Sequence, residues 1–220
     1  MTRIEVGKFL DCSLNKVKHV LDFGPIANRR KERAKYHIEQ TGILSDIHSN
    51  GRYLDAGCGK GYIGGEIKSR MSGIEMFGID LEDRPTNRIK KIVSSTFSTA
   101  DACKLPFLSK SFDGVMVFFV MHHMPTETQK ILLEEVVRVT KEGGHIFVAE
   151  DTVSQDDANQ LEITMRADRR SNPDFYLEKP HNFRSKDEWV VIFKDLGLTS
   201  ERTVDYQSGK VPHTFFMLSK

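Results

Sequence analysis

The stretch Arg52-Tyr53-Leu54-Asp55-Ala56-Gly57-Cys58-Gly59-Lys60-Gly61 decides the fold. Arg52 to Asp55 reads as a short buried strand. The next residues place glycines at 57, 59 and 61, and a helix should follow from about Gly61 to Arg70. In an open α/β sheet, ligands bind outside the carboxyl ends of the strands, where the strand order reverses. The first strand-to-helix turn is usually part of that site. Glycines there let the backbone approach a ligand closely and adopt positive φ. The helix start adds free N–H groups that favour an anionic group.

Working outward, the chain alternates strands and helices. Ile74 to Asp80 and, more weakly, Thr96 to Thr99 read as the next strands. Phe112 to Val120 is almost wholly apolar, as suits a central parallel strand covered on both faces. Thr128 to Lys141 is an amphipathic helix with Ile131, Leu132, Glu135, Val136 and Val139 on one face, and Gly143 is the expected stop. His145 to Ala149 is another buried strand. Ser154 and Asp157 look like a serine cap with an acid three residues on, and Ser185 with Glu188 repeats that signature. Gly197 should end the second of these helices. Ser200–Tyr206 and His213–Leu218, joined through Ser208-Gly209, predict an antiparallel hairpin. Before the glycine turn, Leu10, Leu14, Val17 and Leu21 mark one helix, and 27–47 marks a second with an interruption at Gly42. The pattern predicts a Rossmann-like, doubly wound α/β fold with a mostly parallel seven-stranded sheet, an antiparallel final strand and two N-terminal helices.

Length and composition agree. The 220 residues suffice for one sizeable core, with 39% hydrophobic and 29% charged residues. A single domain over 1–220 is expected. It divides into N-terminal helices (1–49), a core that binds the ligand (50–150), a candidate lid (151–184) and a closing helix and hairpin (185–220). No apolar run reaches the length of a membrane span, and the start lacks the features of a secretory signal. Cys12, Cys58 and Cys103 form neither zinc spacing nor a disulfide framework, which points to a reducing, cytoplasmic setting and to no metal. A net charge of +1 gives no reason to expect nucleic acid as a partner. The basic run Asn28 to Lys35 reads as a solvated helix face, with a basic rim over an anionic substrate as the alternative.

The glycine turn alone fits two cofactor classes. Gly59-Lys60-Gly61-Tyr62-Ile63-Gly64 satisfies the dinucleotide pattern G-x-G-x-x-G, and Asp80 follows at about the twenty-residue spacing of a ribose-binding acid. An NAD(P)-dependent oxidoreductase is therefore a competitor. Asp55 weighs against it, since a carboxylate suits a ligand with an ammonium and a sulfonium but repels a pyrophosphate. Asp101, after the third strand, could accept a hydrogen bond from an adenine amino group.

Asp55 to Gly61 resembles the first motif of class I S-adenosylmethionine-dependent methyltransferases, an acid followed by G-x-G-x-G. Asp101 to Phe107, Ser111 to Val115, Met121-His122-His123-Met124 and Lys141-Glu142-Gly143-Gly144 are similar to the small-molecule branch that includes quinone-biosynthesis C-methyltransferases. The resemblance covers about Arg52 to Ala149. It implies S-adenosylmethionine as cofactor and methyl transfer to a small-molecule acceptor. It places Gly57, Cys58, Gly59 and Gly61 along the methionine part with Asp55 near its ammonium. Asp80, with Leu81 beside it, binds the ribose, and Asp101 with Ala102 holds adenine. Phe118 and its neighbours lie beside the methyl group. Two departures stand out. Glu142 replaces the usual proline, and Leu81 to Val93, with Pro85, predicts a short or distorted helix. Such transfer needs mainly alignment, and a base only when the acceptor must lose a proton. No catalytic residue is assigned, since His122 and His123 fit a strand-end packing role better than that of a base. The segment after Glu150, with Met165, Arg166, Arg169, Arg170, Phe175, Tyr176, His181, Phe183 and Arg184, is either an acceptor lid or a surface helix with a core stripe of Ala158, Leu161 and Met165. A nucleic-acid or protein acceptor, and cofactor binding without catalysis, stand as further alternatives.

Overall fold

A computed structural model describes residues 25–82, 97–171 and 181–220. The expected helix Lys8–Leu21 lies outside these residues, as do most of the segment after the second strand and Phe175 and Tyr176 in the candidate lid. Within them, α1 (Pro25–Thr41) is followed by a 3-10 turn (Ile43–Asp46), β1 (Arg52–Ala56), α2 (Tyr62–Arg70), β2 (Glu75–Asp80) and β3 (Phe97–Thr99). Then come β4 (Phe112–Phe118), a 3-10 turn (Met121–His123), α3 (Thr126–Val139), β5 (Thr140–Asp151), α4 (Ala158–Ser171), α5 (Lys186–Asp195), β6 (Thr199–Ser208) and β7 (Val211–Ser219). The interruption expected at Gly42 is present: the residue sits at φ 63° and separates α1 from the 3-10 turn.

One seven-stranded sheet runs in the order β3-β2-β1-β4-β5-β7-β6. β1 pairs in parallel with both β2 and β4, and β4 pairs in parallel with β5. β7 runs antiparallel to β5 and β6, so the expected reversed ending is present. The chain builds outward from β1 to β3 in one direction, then restarts at β4 in the other. The carboxyl ends of β1 and β4 therefore frame the switch point.

Two apolar layers sandwich the sheet. On one face, Leu54, Val115, Val117 and Val148 pack with Leu132 and Val136 of α3 and with Trp189 and Phe193 of α5. On the other, Tyr53, Met116, Phe147 and Phe215 pack with Ile38 of α1 and Ile67 of α2. Each such large side chain, fully buried, contributes roughly 1.5–3 kcal/mol. The central strands are apolar on both sides because both sides are covered, which is why β4 reads as a continuous run.

Several local expectations are corrected. α3 starts at Thr126 and ends at Val139, and its inward face is Gln129, Leu132, Leu133, Val136 and Val139, while Ile131 is 44% exposed. The helical period carries the buried stripe from 129 through 132 and 136, which turns position 131 outward. Gly143 does not stop the helix. Thr140 closes it, its hydroxyl donating to the Val136 carbonyl at 2.7 Å, and Gly143 at φ 71° lies within the first residues of β5, where the pairing with β4 shifts register. Asp157, not Ser154, caps α4: its Oδ1 accepts the Gln160 N–H at 2.9 Å. The buried residues of α4 are Thr164 and Asp168, so the apolar stripe Ala158, Leu161, Met165 is not what the helix buries. α4 lies over the polar ends of strands rather than on the apolar sheet. The capping box of α5 is as expected, with the Ser185 and Glu188 side chains bonded reciprocally to backbone N–H groups.

Candidate active site at the sheet's switch point

The turn after β1 is closed by backbone bonds to β2. The N–H groups of Gly57 and Cys58 both donate to the Ile79 carbonyl, at 2.9 and 2.8 Å. The Gly59 N–H donates to Asp80 Oδ2 at 2.8 Å. Gly57, at φ 78°, is the tightest point. A Cβ there would come within 2.6 Å of the Val120 side chain, so only glycine lets this turn meet the segment leaving β4. Gly61, also at positive φ, begins α2, whose first N–H groups therefore open onto the switch point.

Asp55 is buried, and its Oδ2 accepts the Gly64 N–H at 3.1 Å. Burial pushes its carboxyl up to about 7; the Gly64 bond opposes this and the charge of Asp80 adds to it. A buried carboxyl group in this state would hold its charge readily beside a cation. Cys58 is half-buried, and burial raises its thiol well beyond the usual range. Asp80 lies at the end of β2, where its Oδ1 also accepts the Glu82 N–H at 3.2 Å, and Leu81 is 59% exposed. Asp101 is exposed, its Oδ1 accepting the Cys103 N–H at 2.8 Å, and Ala102 beside it is buried. Asp55, Cys58, Asp80 and the three glycines come together around one turn, and Asp101 follows the neighbouring β3. Phe118 is different. It is buried in the core against Phe119 and Phe215, whereas Phe119, at φ 58°, is half-buried at the strand end with its ring 4.5 Å from His37 and 5.3 Å from His213.

Beyond β4 and β5 lies a buried polar cluster that the sequence reading largely missed. Glu150 and Asp151 end β5 and point to opposite faces. Glu150 accepts the N–H groups of Val120 and Met121, at 3.0 and 2.7 Å, and bonds His122 Nδ1 at 2.6 Å. Asp151 bonds His213 Nδ1 at 2.7 Å. Asp168, from α4, bonds His181 Nε2 at 2.8 Å, and His37 Nδ1 meets the Tyr206 hydroxyl at 3.0 Å. Burial alone would strip the proton from His122, but Glu150 and Asp168 overcome it and push the imidazole up to about 10. His123 goes the other way, down to about 3, through burial and the neighbouring His122. The signal for this cluster was two adjacent acids directly after an apolar strand; their histidine partners come from distant segments.

The basic run on α1 is not purely solvated. Arg33 donates to the Ser171 hydroxyl at 2.5 Å and Arg30 to the Ser171 carbonyl at 3.4 Å, so both meet the carboxyl end of α4, where a helix favours positive charge. In the candidate lid, Phe183 stacks on His122 with centroids 4.9 Å apart, and Arg184 donates to Gln129 at 2.8 Å. Arg166 pairs with Glu162, and Arg169 and Arg170 are exposed. Among the described residues, no helix is long and apolar enough to cross a membrane.

Residues 54–144 match the family model described as a methyltransferase domain. Over 121 residues the chain is 31% identical to a tRNA (carboxymethyluridine(34)-5-O)-methyltransferase from Arabidopsis thaliana, covering 54% of the chain and 28% of the relative. It is 32% identical over 108 residues to a demethylmenaquinone methyltransferase from Deinococcus radiodurans, covering 47% of the chain and 44% of the relative. The chain thus spans less than half the length of either relative. In fold it is similar to magnesium protoporphyrin IX methyltransferase from Synechocystis PCC 6803, solved with bound SAH (TM-score 0.65, 13% identity, 94% of each chain). It is also similar to a SAM-dependent methyltransferase from Methanosarcina mazei (TM-score 0.62, 18% identity, 81% of this chain and 96% of that one). Strand order, a glycine turn at the switch point and the domain match agree, and residues 54–144 are similar to the methyltransferase domain on a class I methyltransferase-like fold.

Proposed function

We propose that this protein transfers a methyl group from S-adenosylmethionine to a small-molecule acceptor by in-line displacement. The observation that carries this reading is the turn at the switch point. Backbone N–H groups at the start of α2, the buried carboxyl of Asp55 and the carboxylate of Asp80 surround one place at the carboxyl ends of β1 and β2. In this reading the turn backbone from Gly57 to Gly61, with Cys58 among it, receives the amino-acid part of the cofactor. Asp55 faces its ammonium. Asp80, which holds the Gly59 N–H at the end of β2, faces the ribose hydroxyls, with Leu81 against the same sugar. Asp101 and Ala102 hold adenine. Of Phe118 and its neighbours, Phe119 and Val120 at the strand end lie beside the methyl group in this reading, with the buried Phe118 behind them.

The cofactor brings an activated methyl on sulfur, so the protein chiefly supplies alignment. His122, held through Nδ1 by Glu150, organises the turn after β4 rather than serving as a base for the acceptor. Thermal shift separates this reading from a nicotinamide enzyme. Stabilisation by S-adenosylhomocysteine and none by NADH or NADPH is expected, and the reverse would refute methyl transfer. The acceptor is tested by labelled-methyl incorporation into small molecules against bulk tRNA. Label in tRNA would favour the second reading, a tRNA acceptor, which rests on the Arabidopsis relative. The segment 151–184 serves as the acceptor lid in this proposal. Replacing Arg169 and Arg170 with alanine should raise the acceptor KM, and an unchanged KM would remove the lid role.

A further inference from the structure

We infer that His122, His123 and Asp168 form a binding site for a divalent transition-metal ion of the zinc class. This inference is independent of the acceptor, and of whether methyl transfer occurs at all.

Among the described residues, these three offer ligand atoms that all lie within 4.8 Å of one another. The two histidines come from the 3-10 turn after β4 and the aspartate from α4. His122 Nε2 is 3.9 Å and His123 Nε2 3.7 Å from the same oxygen, Asp168 Oδ1. Tetrahedral coordination with bonds of about 2.0–2.1 Å sets ligand atoms roughly 3.4 Å apart, so these two separations need contract by only ~0.5 Å or less.

Three further observations fit a metal. First, His122 Nε2 is buried with no hydrogen-bond partner among the described residues, while the residue as a whole is 1% exposed. A buried polar atom left unmatched is costly, and a metal ion would satisfy it by taking the place of the Nε2 proton, which is released to solvent on binding. Second, the other nitrogen of His122 is already held by Glu150 at 2.6 Å, and Glu150 is fixed by the two N–H groups of Val120 and Met121. A carboxylate behind a histidine is the arrangement that orients metal-binding imidazoles. Third, His181 Nε2 bonds Asp168 Oδ2 at 2.8 Å, leaving Oδ1 as the oxygen turned toward His122 and His123. Glu150 and Asp168 are two buried carboxylates, and their combined charge matches a divalent cation. Imidazole and carboxylate ligands suit zinc, cobalt or nickel better than calcium or magnesium. Three protein ligands leave a fourth tetrahedral position for water or for a substrate heteroatom. Bound there, the ion would pin α4 to the end of β4.

The test uses the full chain, tag-free and stripped with chelator, titrated with Co2+ and followed by visible absorption, with Zn2+ as competitor. One equivalent should bind with the intense bands of tetrahedral cobalt, and zinc should displace it. His123→Ala and Asp168→Asn should each weaken binding at least tenfold, and Glu150→Gln by about 10–100-fold. His145→Ala, at a surface histidine facing Glu201, should leave binding unchanged. Absence of stoichiometric binding by folded wild-type protein would overturn the site. So would binding that His123→Ala and Asp168→Asn leave intact. Neither outcome touches S-adenosylhomocysteine binding, which reports on the glycine turn alone.

Discussion

Asp55 is a single carboxyl group whose burial costs stability and whose proposed partner is the ammonium of the cofactor. Unfolded, it ionises near 3.8; folded, it keeps its proton to about 7. The folded state therefore binds more protons in that window, and the stability this confers is lost as pH rises from about 4 to about 7. Asp55→Asn removes that dependence. Its melting temperature should gain on wild type between pH 5 and pH 8 without ligand, and its affinity for S-adenosylmethionine should fall at least tenfold by calorimetry. A variant that is equally less stable at both pH values would contradict the account of Asp55. Gly57 makes the complementary case. An alanine there must hold a left-handed conformation, costing about 1–2 kcal/mol, and must also displace Val120. Gly57→Ala should lower the melting temperature and weaken S-adenosylhomocysteine binding together. Loss of stability with unchanged binding would place the ligand elsewhere. At this scale the sequence was informative about the turn itself, since the glycines at 57, 59 and 61 all hold positive φ, while the glycines alone left two cofactor classes open.

Elements were legible where their signals are local. The capping box of α5 depends on four consecutive residues and was readable directly. Ser185→Ala should cost about 1 kcal/mol in denaturant unfolding, and a change near zero would mean that α5 is held by Trp189 and Phe193 alone. α4 was not legible in the same way. Its inward residues are Thr164 and Asp168, and a polar residue facing inward gives no periodic signal. Only the histidines waiting beneath the helix make sense of it. The end of α3 was also misplaced, since the Thr140 hydroxyl bond that closes it does not stand out beside the nearby Gly143.

Across the whole molecule, the polar cluster joins segments far apart in the chain. His37 comes from α1, Tyr206 from β6 and His213 from β7, and they meet around Phe119. Burial drives the imidazoles of His37 and His123 down to about 3, helped by His213 beside the first and His122 beside the second. As pH falls from about 6.5 toward 3, the unfolded chain takes up protons that the folded chain refuses at these two sites, so stability falls with pH over that range. His37→Gln should flatten this acid limb in denaturant unfolding followed against pH. An unchanged slope would show that His37 is more open to solvent than the packing implies. Arg202 adds a second long-range tie, bonding the Thr41 carbonyl at 2.7 Å and the Asp46 carboxylate, so that β6 fastens the carboxyl end of α1.

The sequence by itself determined the alternation of strands and helices, the reversed ending of the sheet and the turn at its switch point. Each of these is written in neighbouring residues: apolar runs, glycine spacing and caps. Tertiary structure alone decided which side chains meet beyond the strand ends. Phe118 went into the core and Phe119 to the rim because one left-handed residue turns the chain as β4 ends. Glu150, Asp151 and Asp168 found histidines from three different segments because the crossovers of a doubly wound sheet bring its strand ends to one edge. Such meetings carry no periodicity along the chain, and only the fold makes them adjacent.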